Sequence, residues 1–250
     1  MNRRHALGVH RKPTVDEIGR IAWLRAVEPH LLDKATSALQ SFDIGPSGLI
    51  CELGEPVRHW IGVINGLVKM SNTDRNGHTV TFAGLPPGGW FGEGTVLKRE
   101  TYRYSVRALR QSVVAALPIE IFFDLLNNSI GFNRFVMDQL NERLSQFMGS
   151  HESDRLNGPD ENVARCLSQL FNPRLFPGSG DGLRITQQEL AYIVGLSRQR
   201  VNQALILLEQ EKLISIEYGG LKVLDVNALA RFERTCPGPR SLRSINTSDS

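Results

Sequence analysis

Long apolar runs are missing from this 250-residue chain. No stretch approaches the ~18 consecutive apolar residues that a membrane span requires, and the basic, glycine-containing N-terminus has no apolar signal core. The expected setting is therefore cytoplasmic, with no membrane partner. Closely spaced cysteine pairs are missing too. Cys51, Cys166 and Cys236 stand far apart, whereas zinc and iron–sulfur sites usually announce themselves by at least one short Cys-to-Cys step. The six histidines are equally scattered, so no metal site is expected. Charge of one sign is also scarce. The net charge is only +3, with 20 basic and 19 acidic residues before Arg184, and 9 and 7 from it onward. That balance permits a nucleic-acid partner without announcing one.

What is present is an ordinary soluble composition, 41% hydrophobic and 22% charged, on a chain long enough for two modest cores. Residues 1–13 are basic and irregular. From Val15 to Gln40, apolar positions such as Ile18, Ile21, Leu24, Val27 and Leu31 suggest short helices broken at Pro29. Between Ile44 and Leu117, glycine and proline punctuate short runs of β character, among them "HWIGVINGLVKM", "HTVTFAGL" and "SVVAALP". Asn76-Gly77 between extended segments signals a hairpin. Many short strands at this spacing argue for a compact antiparallel barrel or roll.

The texture turns helical at Ile119. Met137, Leu140, Leu144, Phe147 and His151 are spaced 3, 4, 3 and 4 residues apart, the period of a coiled-coil seam. A helix packed only on its own roll is the alternative. Asn157-Gly158-Pro159 interrupts the helix as a hinge would. Further on, Thr186-Gln-Gln-Glu189 is a capping box that opens a helix over Gln187–Val194. Gly195 permits a tight turn, and Ser197 is a good N-cap for the next helix. "LISIEYGGLKVLD" then alternates across Gly219-Gly220 as a two-stranded wing.

Helix, short turn, helix and wing form the pattern of a winged helix-turn-helix. The second helix carries Val201, Ala204, Leu205 and Leu208 on one stripe. Its opposite side carries Gln199 and Gln203, flanked by Arg198, Arg200 and Asn202. Forked donors and acceptors of this kind match base edges in the major groove. Ser197 and Thr186 join them as residues that either contact phosphate or cap helices.

The stretch "ITQQELAYIVGLSRQRVNQALILLEQEKLISIEYGGLKVLD", Ile185 to Asp225, resembles the DNA-binding module of the Crp–Fnr family of bacterial transcription regulators. "GEPVRHWIGVINGLVKM" (Gly54–Met70) and "PGGWFGEGTVLKRETYRYSVRAL" (Pro87–Leu109) resemble the cyclic-nucleotide-binding roll of the same family. The resemblance spans roughly residues 20 to 232. It implies that the second helix is the recognition helix, reading bases with Arg198, Gln199 and Gln203. Many members carry Glu in place of Gln199 and Arg in place of Gln203. Because Gln favours adenine, the half-site should differ from the family's common one.

For effector chemistry, the resemblance places Gly92-Glu93 where nucleotide-binding members hold a ribose hydroxyl. The family's phosphate-binding Arg-Ser or Arg-Thr pair is poorly matched. Arg103 is followed by Tyr104, with Ser105 one position on, and the loop is about one residue short. Arg107 resembles a structural strand arginine. The polar pair that contacts adenine would fall on the apolar Phe147 and Met148. Cyclic AMP is therefore disfavoured, and a different small effector, or none, is expected. No cofactor is assigned.

The resemblance also implies an α+β architecture. The divisions are an arm over residues 1–19, a sensory β-roll (jelly roll) with flanking helices over 20–128, and a dimerisation helix over 129–156. A winged helix-turn-helix over 160–235 and a tail over 236–250 follow, with arm and tail expected to be disordered. The expected partners are a second copy of the chain, double-stranded DNA with a palindromic operator, and RNA polymerase. Two other classes fit the sequence less well. An enzyme using Glu93 and a nearby histidine as acid and base lacks a nucleophile–base pair, a P-loop or a metal cluster, so no catalytic residue is assigned. A cyclic-nucleotide-binding regulatory module acting through protein contacts would expose anchors, where this helix exposes Gln199 and Gln203.

Overall fold

The computed structural model describes residues 7, 9–74, 76–153, 158–180 and 182–233. Expectations for residues 1–6, for Asn157 and for the tail from 236 lie outside them, as does the side chain of His151 in the dimer seam. The arm expected to be disordered through residue 19 is instead ordered from Arg11. There Arg11 bridges to Ser41 of the first strand. Its guanidinium holds Glu17 at 2.6 Å and Asp43 at 2.9 Å. A capping box between Thr14 and Glu17 opens helix α1 (Val15–Gly19). The sequence hides this because Asp43 and Ser41 are some thirty residues from the arginine they hold. Hydrogen bonding to Arg11 draws the Glu17 carboxyl down to about 2, against the opposing effect of burial.

The short helices are broken at Pro29 as expected, because Pro29 begins a new one. It occupies the first turn of α2 (Pro29–Ala38), where its missing N–H has no intrahelical partner to lose. A 3-10 turn, Ala22–Ala26, precedes it and buries Trp23.

The roll consists of β1 (Gln40–Ile44), β2 (Leu49–Cys51), β3 (His59–Asn65), β4 (Val68–Thr73), β5 (Thr79–Leu85), β6 (Trp90–Phe91), β7 (Ser105–Ala108) and β8 (Ser112–Pro118). Two four-stranded antiparallel sheets result, in the orders β1-β8-β3-β6 and β2-β7-β4-β5. The Asn76-Gly77 hairpin joins β4 to β5, with Thr73 opposite Thr79. Aromatics are few but concentrated. All three tryptophans of the chain meet, Trp60 lying 5.6 Å from Trp23 and 4.4 Å from Trp90 between ring centroids. Phe122 of α4 (Ile119–Asn128) and Phe132 of α5 (Ile130–Ser153) close on Trp60 at 5.3 and 5.6 Å. Edge-to-face contacts of this kind add about 0.5–1.5 kcal/mol each beyond area burial. The first half of α5 is thereby fixed to the roll.

The C-terminal core is built by α6 (Pro159–Leu170), α7 (Gln187–Val194), α8 (Arg198–Gln210) and α9 (Val226–Ala230). A three-stranded sheet completes it, β10 (Ile214–Glu217), β11 (Gly220–Val223) and the two-residue β9 (Gly182–Leu183), in the order β10-β11-β9. The wing is therefore three-stranded, one strand more than the alternation in sequence announced.

The two cores interlock. Leu67, between β3 and β4, is fully buried in the C-terminal core. Leu175 and Phe176, in the connection after α6, belong instead to the core of the roll. A Cβ on Gly84 of β5 would stand 2.7 Å from the Ile193 side chain of α7. The Thr81 hydroxyl donates to the Tyr192 carbonyl at 3.1 Å. Isolated apolar residues in a loop have no period, so nothing in the sequence assigned them to the neighbouring core.

Candidate nucleic-acid interface and sensory pocket

Helix α7 ends at Gly195, whose φ of 76° is left-handed, a conformation glycine adopts without a Cβ penalty. The chain turns there and Ser197 caps α8, its hydroxyl accepting from the Arg200 N–H at 3.2 Å. Val201, Ala204, Leu205 and Leu208 are buried, which rotates the polar side of α8 outward. Seven residues were expected at this surface, and they divide sharply.

Arg200 is turned inward. It ion-pairs with Asp160 of α6 at 2.6 Å, its side chain 27% exposed and that of Asp160 5%. This contact raises the arginine's pKa further. Asn202 is also diverted, its carbonyl oxygen accepting from the Gln187 amide at 2.6 Å. Thr186 is a helix cap, accepting from the Glu189 N–H and donating its hydroxyl to the Glu189 carboxylate at 3.0 Å. Ser197 has its capping role. Arg198, Gln199 and Gln203 are exposed and make no side-chain hydrogen bond or ion pair with any described residue. The diversions were invisible in sequence, because the partners lie on α6 and α7. Tyr218 is fully exposed in the turn between β10 and β11.

In the roll, Gly92 has a φ of 88° and delivers the chain into α3 (Glu93–Lys98). Glu93 is 3% exposed. One carboxylate oxygen accepts from Arg143 Nε of α5 at 2.5 Å, and the arginine also donates to the Trp90 carbonyl. The second oxygen, Oε2, is buried without a hydrogen-bond partner. A cavity of about 320 Å³ adjoins, lined by Glu93, Thr95, Lys98, Arg103, Tyr104 and Arg143 among others. Arg143 carries no motif in sequence, and only its placement on the roll-facing side of α5 identifies it.

The remaining candidates for the effector pocket are distributed differently from expectation. Arg103 lines the cavity but is itself exposed and pairs with Glu100 at 3.0 Å. Ser105 accepts from the Leu53 N–H at 3.1 Å and does not line the cavity. Phe147 and Met148 do not line it either. They are exposed further along α5, and Leu140 and Arg143 occupy the positions on the helix that face the pocket. Arg107 is a strand arginine as expected, donating to the Ser47 carbonyl at 3.3 Å.

Along the seam of α5, Met137 is exposed, Leu144 is 57% exposed and Phe147 68%. Leu140, expected among them, packs against the core of the roll. Among the described residues no helix is long and apolar enough to cross a membrane.

Comparison with known proteins places this geometry. Residues 44–129 match the family model of the cyclic nucleotide-binding domain, and residues 161–232 match that of the Crp-like helix-turn-helix domain. The chain is 24% identical over 225 residues to a CRP-like cAMP-activated global transcriptional regulator of Mycobacterium tuberculosis, covering 88% of this chain and 100% of that one. It is 27% identical over 181 residues to the transcriptional regulator LdrP of Thermus thermophilus, covering 71% and 89%. FixK2 of Bradyrhizobium japonicum shares the fold at a TM-score of 0.61 and 15% identity, over 79% of this chain and 98% of that one. With both domain models in this order on one chain, the protein belongs to the Crp–Fnr family, non-enzymatic DNA-binding transcription regulators in which an effector-sensing roll is coupled to a winged helix-turn-helix.

Proposed function

We propose that the protein acts in the cytoplasm as a homodimer joined along α5, and that it reads an interrupted palindrome with two copies of α8. Arg198, Gln199 and Gln203 choose or clamp the bases, while Arg200 and Asn202 hold the helix in place. The observation that carries this reading is the division of α8. Its other polar candidates have partners within the chain, whereas these three face solvent unengaged. Two α8 helices related by a dyad would enter successive major grooves about 34 Å apart. Recruitment or exclusion of RNA polymerase is the regulatory output.

The sensory pocket is the Glu93 cavity. One oxygen of Glu93 is held by Arg143, Arg103 is paired with Glu100, and Ser105 does not line the cavity, so the phosphate-binding pair is not assembled there. The effector is therefore a molecule other than cyclic AMP. Random-site selection with the purified protein tests the DNA reading. A palindromic consensus with half-sites one helical turn apart is the expected result, and binding indifferent to sequence would refute it.

A further inference from the structure

The roll has a second cavity that shares no lining residue with the Glu93 pocket. Its volume is about 240 Å³. Phe42, Ile50, Cys51, Ile61 and Tyr102 form an apolar wall. Leu7 and His10 of the N-terminal segment cover it, the His10 ring 6.1 Å from that of Phe42. That cover is held in place, because Arg11, next in the chain, is locked to Glu17 and Asp43.

The rest of the cavity lining is mainly polar, with His10, Gln40, Glu55, Arg58 and His59. Arg58 is at its edge, exposed, with no side-chain hydrogen bond or ion pair to any described residue. Glu55, the acidic group on the same cavity, already accepts from the Glu52 N–H at 3.2 Å. The Tyr102 hydroxyl is spent on the His59 carbonyl. Burial pushes the Cys51 thiol up and so keeps it neutral. An apolar wall with one unengaged guanidinium, beside a carboxylate already bonded to a backbone N–H, is the make-up of a small-ligand site with one orienting cation. A dry cavity of ~150 Å³ already accepts benzene, so this one has room for a substituted ring but not for a long acyl chain.

We propose that this cavity binds a small aromatic or alicyclic carboxylate, its ring against Phe42, Ile61 and Tyr102 and its carboxylate on Arg58. The site is placed to speak to the first pocket. The rings of Tyr102 and Tyr104 lie 6.0 Å apart, and Tyr104 lines the Glu93 cavity.

Calorimetry on the full-length protein with benzoate, cyclohexanecarboxylate and benzamide tests the proposal. Both acids should bind saturably at or below about 1 mM, and uncharged benzamide about tenfold more weakly, one charge-assisted hydrogen bond's difference. Arg58→Gln, an exposed change that leaves the fold intact, should weaken benzoate about tenfold and leave benzamide unchanged. Arg103→Gln, in the other pocket, should alter neither. No saturable binding of either acid up to about 10 mM would overturn the proposal. So would benzoate affinity insensitive to Arg58→Gln, or lost in Arg103→Gln.

Discussion

Arg143 of α5 donates to Glu93 at the start of α3 across 2.5 Å, and the carboxylate it holds is 3% exposed. The helix that carries the exposed apolar seam is thus tied to the Glu93 cavity by one buried ion pair. Removing either partner alone leaves a charge with little solvent, at a cost of about 3–5 kcal/mol for a fully buried pair. Arg143 is a quarter exposed, so Arg143→Ala should cost about 2–3 kcal/mol in urea unfolding, at or just below the lower end of that range. Glu93→Gln/Arg143→Met should cost less than the sum of its single changes. Strict additivity would mean that the two side chains do not depend on each other.

A ligand that takes the Glu93 oxygen held by Arg143 must displace the guanidinium, and Arg103, which would meet a cyclic phosphate, is already paired with Glu100. Cyclic AMP should therefore bind more weakly than about 10 μM, corresponding to roughly −7 kcal/mol. Arg143→Ala should strengthen any residual binding that uses Glu93. Calorimetry on wild type and variant checks both statements, and tight wild-type binding abolished by Glu93→Ala would reverse them.

The exposed part of the α5 seam supports a prediction on assembly. Leu144 and Phe147 are more than half exposed in the single chain, and burying such side chains stabilises by about 1.5–3 kcal/mol each. Leu144→Glu should convert a dimer into monomers in sedimentation at micromolar concentration. Operator affinity should fall on the order of 100-fold or more, because the half-sites are then bound independently. Leu140→Glu should instead lower the stability of the monomer, since Leu140 packs on the roll. Equal behaviour of the two variants would contradict this division of the seam.

The N-terminal clamp makes stability depend on pH in a defined direction. Glu17 is held near 2 by its hydrogen bonds to Arg11, below its ordinary value of ~4.3 in the unfolded chain. Between these values the unfolded chain binds more protons, so stability rises with pH. The clamp's contribution is fully present above about pH 4.5 and lost as pH falls through about 2. Arg11 is partly solvent-exposed, which screens the pair, so Arg11→Ala should cost about 1 kcal/mol at pH 7. The difference between variant and wild type should shrink steadily in urea titrations below pH 4.5. A constant difference would assign the effect to packing.

Local signals carried much of this molecule. The Thr186–Glu189 capping box, the left-handed Gly195 and the Ser197 cap fix the helix-turn-helix within a dozen residues, and each is legible as a short pattern. What stayed hidden depends on contacts between distant segments. Phe176 gives no periodic hint that it completes the core of the roll. Asp160 reads as an ordinary first-turn acid of α6 until α8 brings Arg200 against it. Arg143 looks like any charge on a long helix until the fold sets it beside Glu93. A side chain's type shows what it can bind, but only the fold shows whether it is already bound.

That distinction yields the sharpest prediction, on α8 itself. Arg200 and Gln203 are three residues apart on one helix and both could reach for a base. The structure gives Arg200 to Asp160, whose side chain is 5% exposed, and leaves Gln203 to solvent. Arg200→Ala should therefore destabilise the C-terminal domain by about 2–4 kcal/mol, since it removes the ion-pair partner of a buried carboxylate. Adding Asp160→Asn should recover part of that loss. The surviving folded fraction should retain its base preference. Gln203→Ala should leave the unfolding curve within about 0.5 kcal/mol of wild type. It should cost about 1–3 kcal/mol per half-site and relax preference at one position. Gln199→Ala should relax a different position, with adenine favoured at one or both. Random-site selection paired with urea unfolding of each variant separates the roles. If Arg200→Ala changes the selected sequence without loss of stability, the arginine reads bases and the ion pair is incidental. If Gln199→Ala and Gln203→Ala both leave the selected sequence unchanged, α8 is not the reading helix.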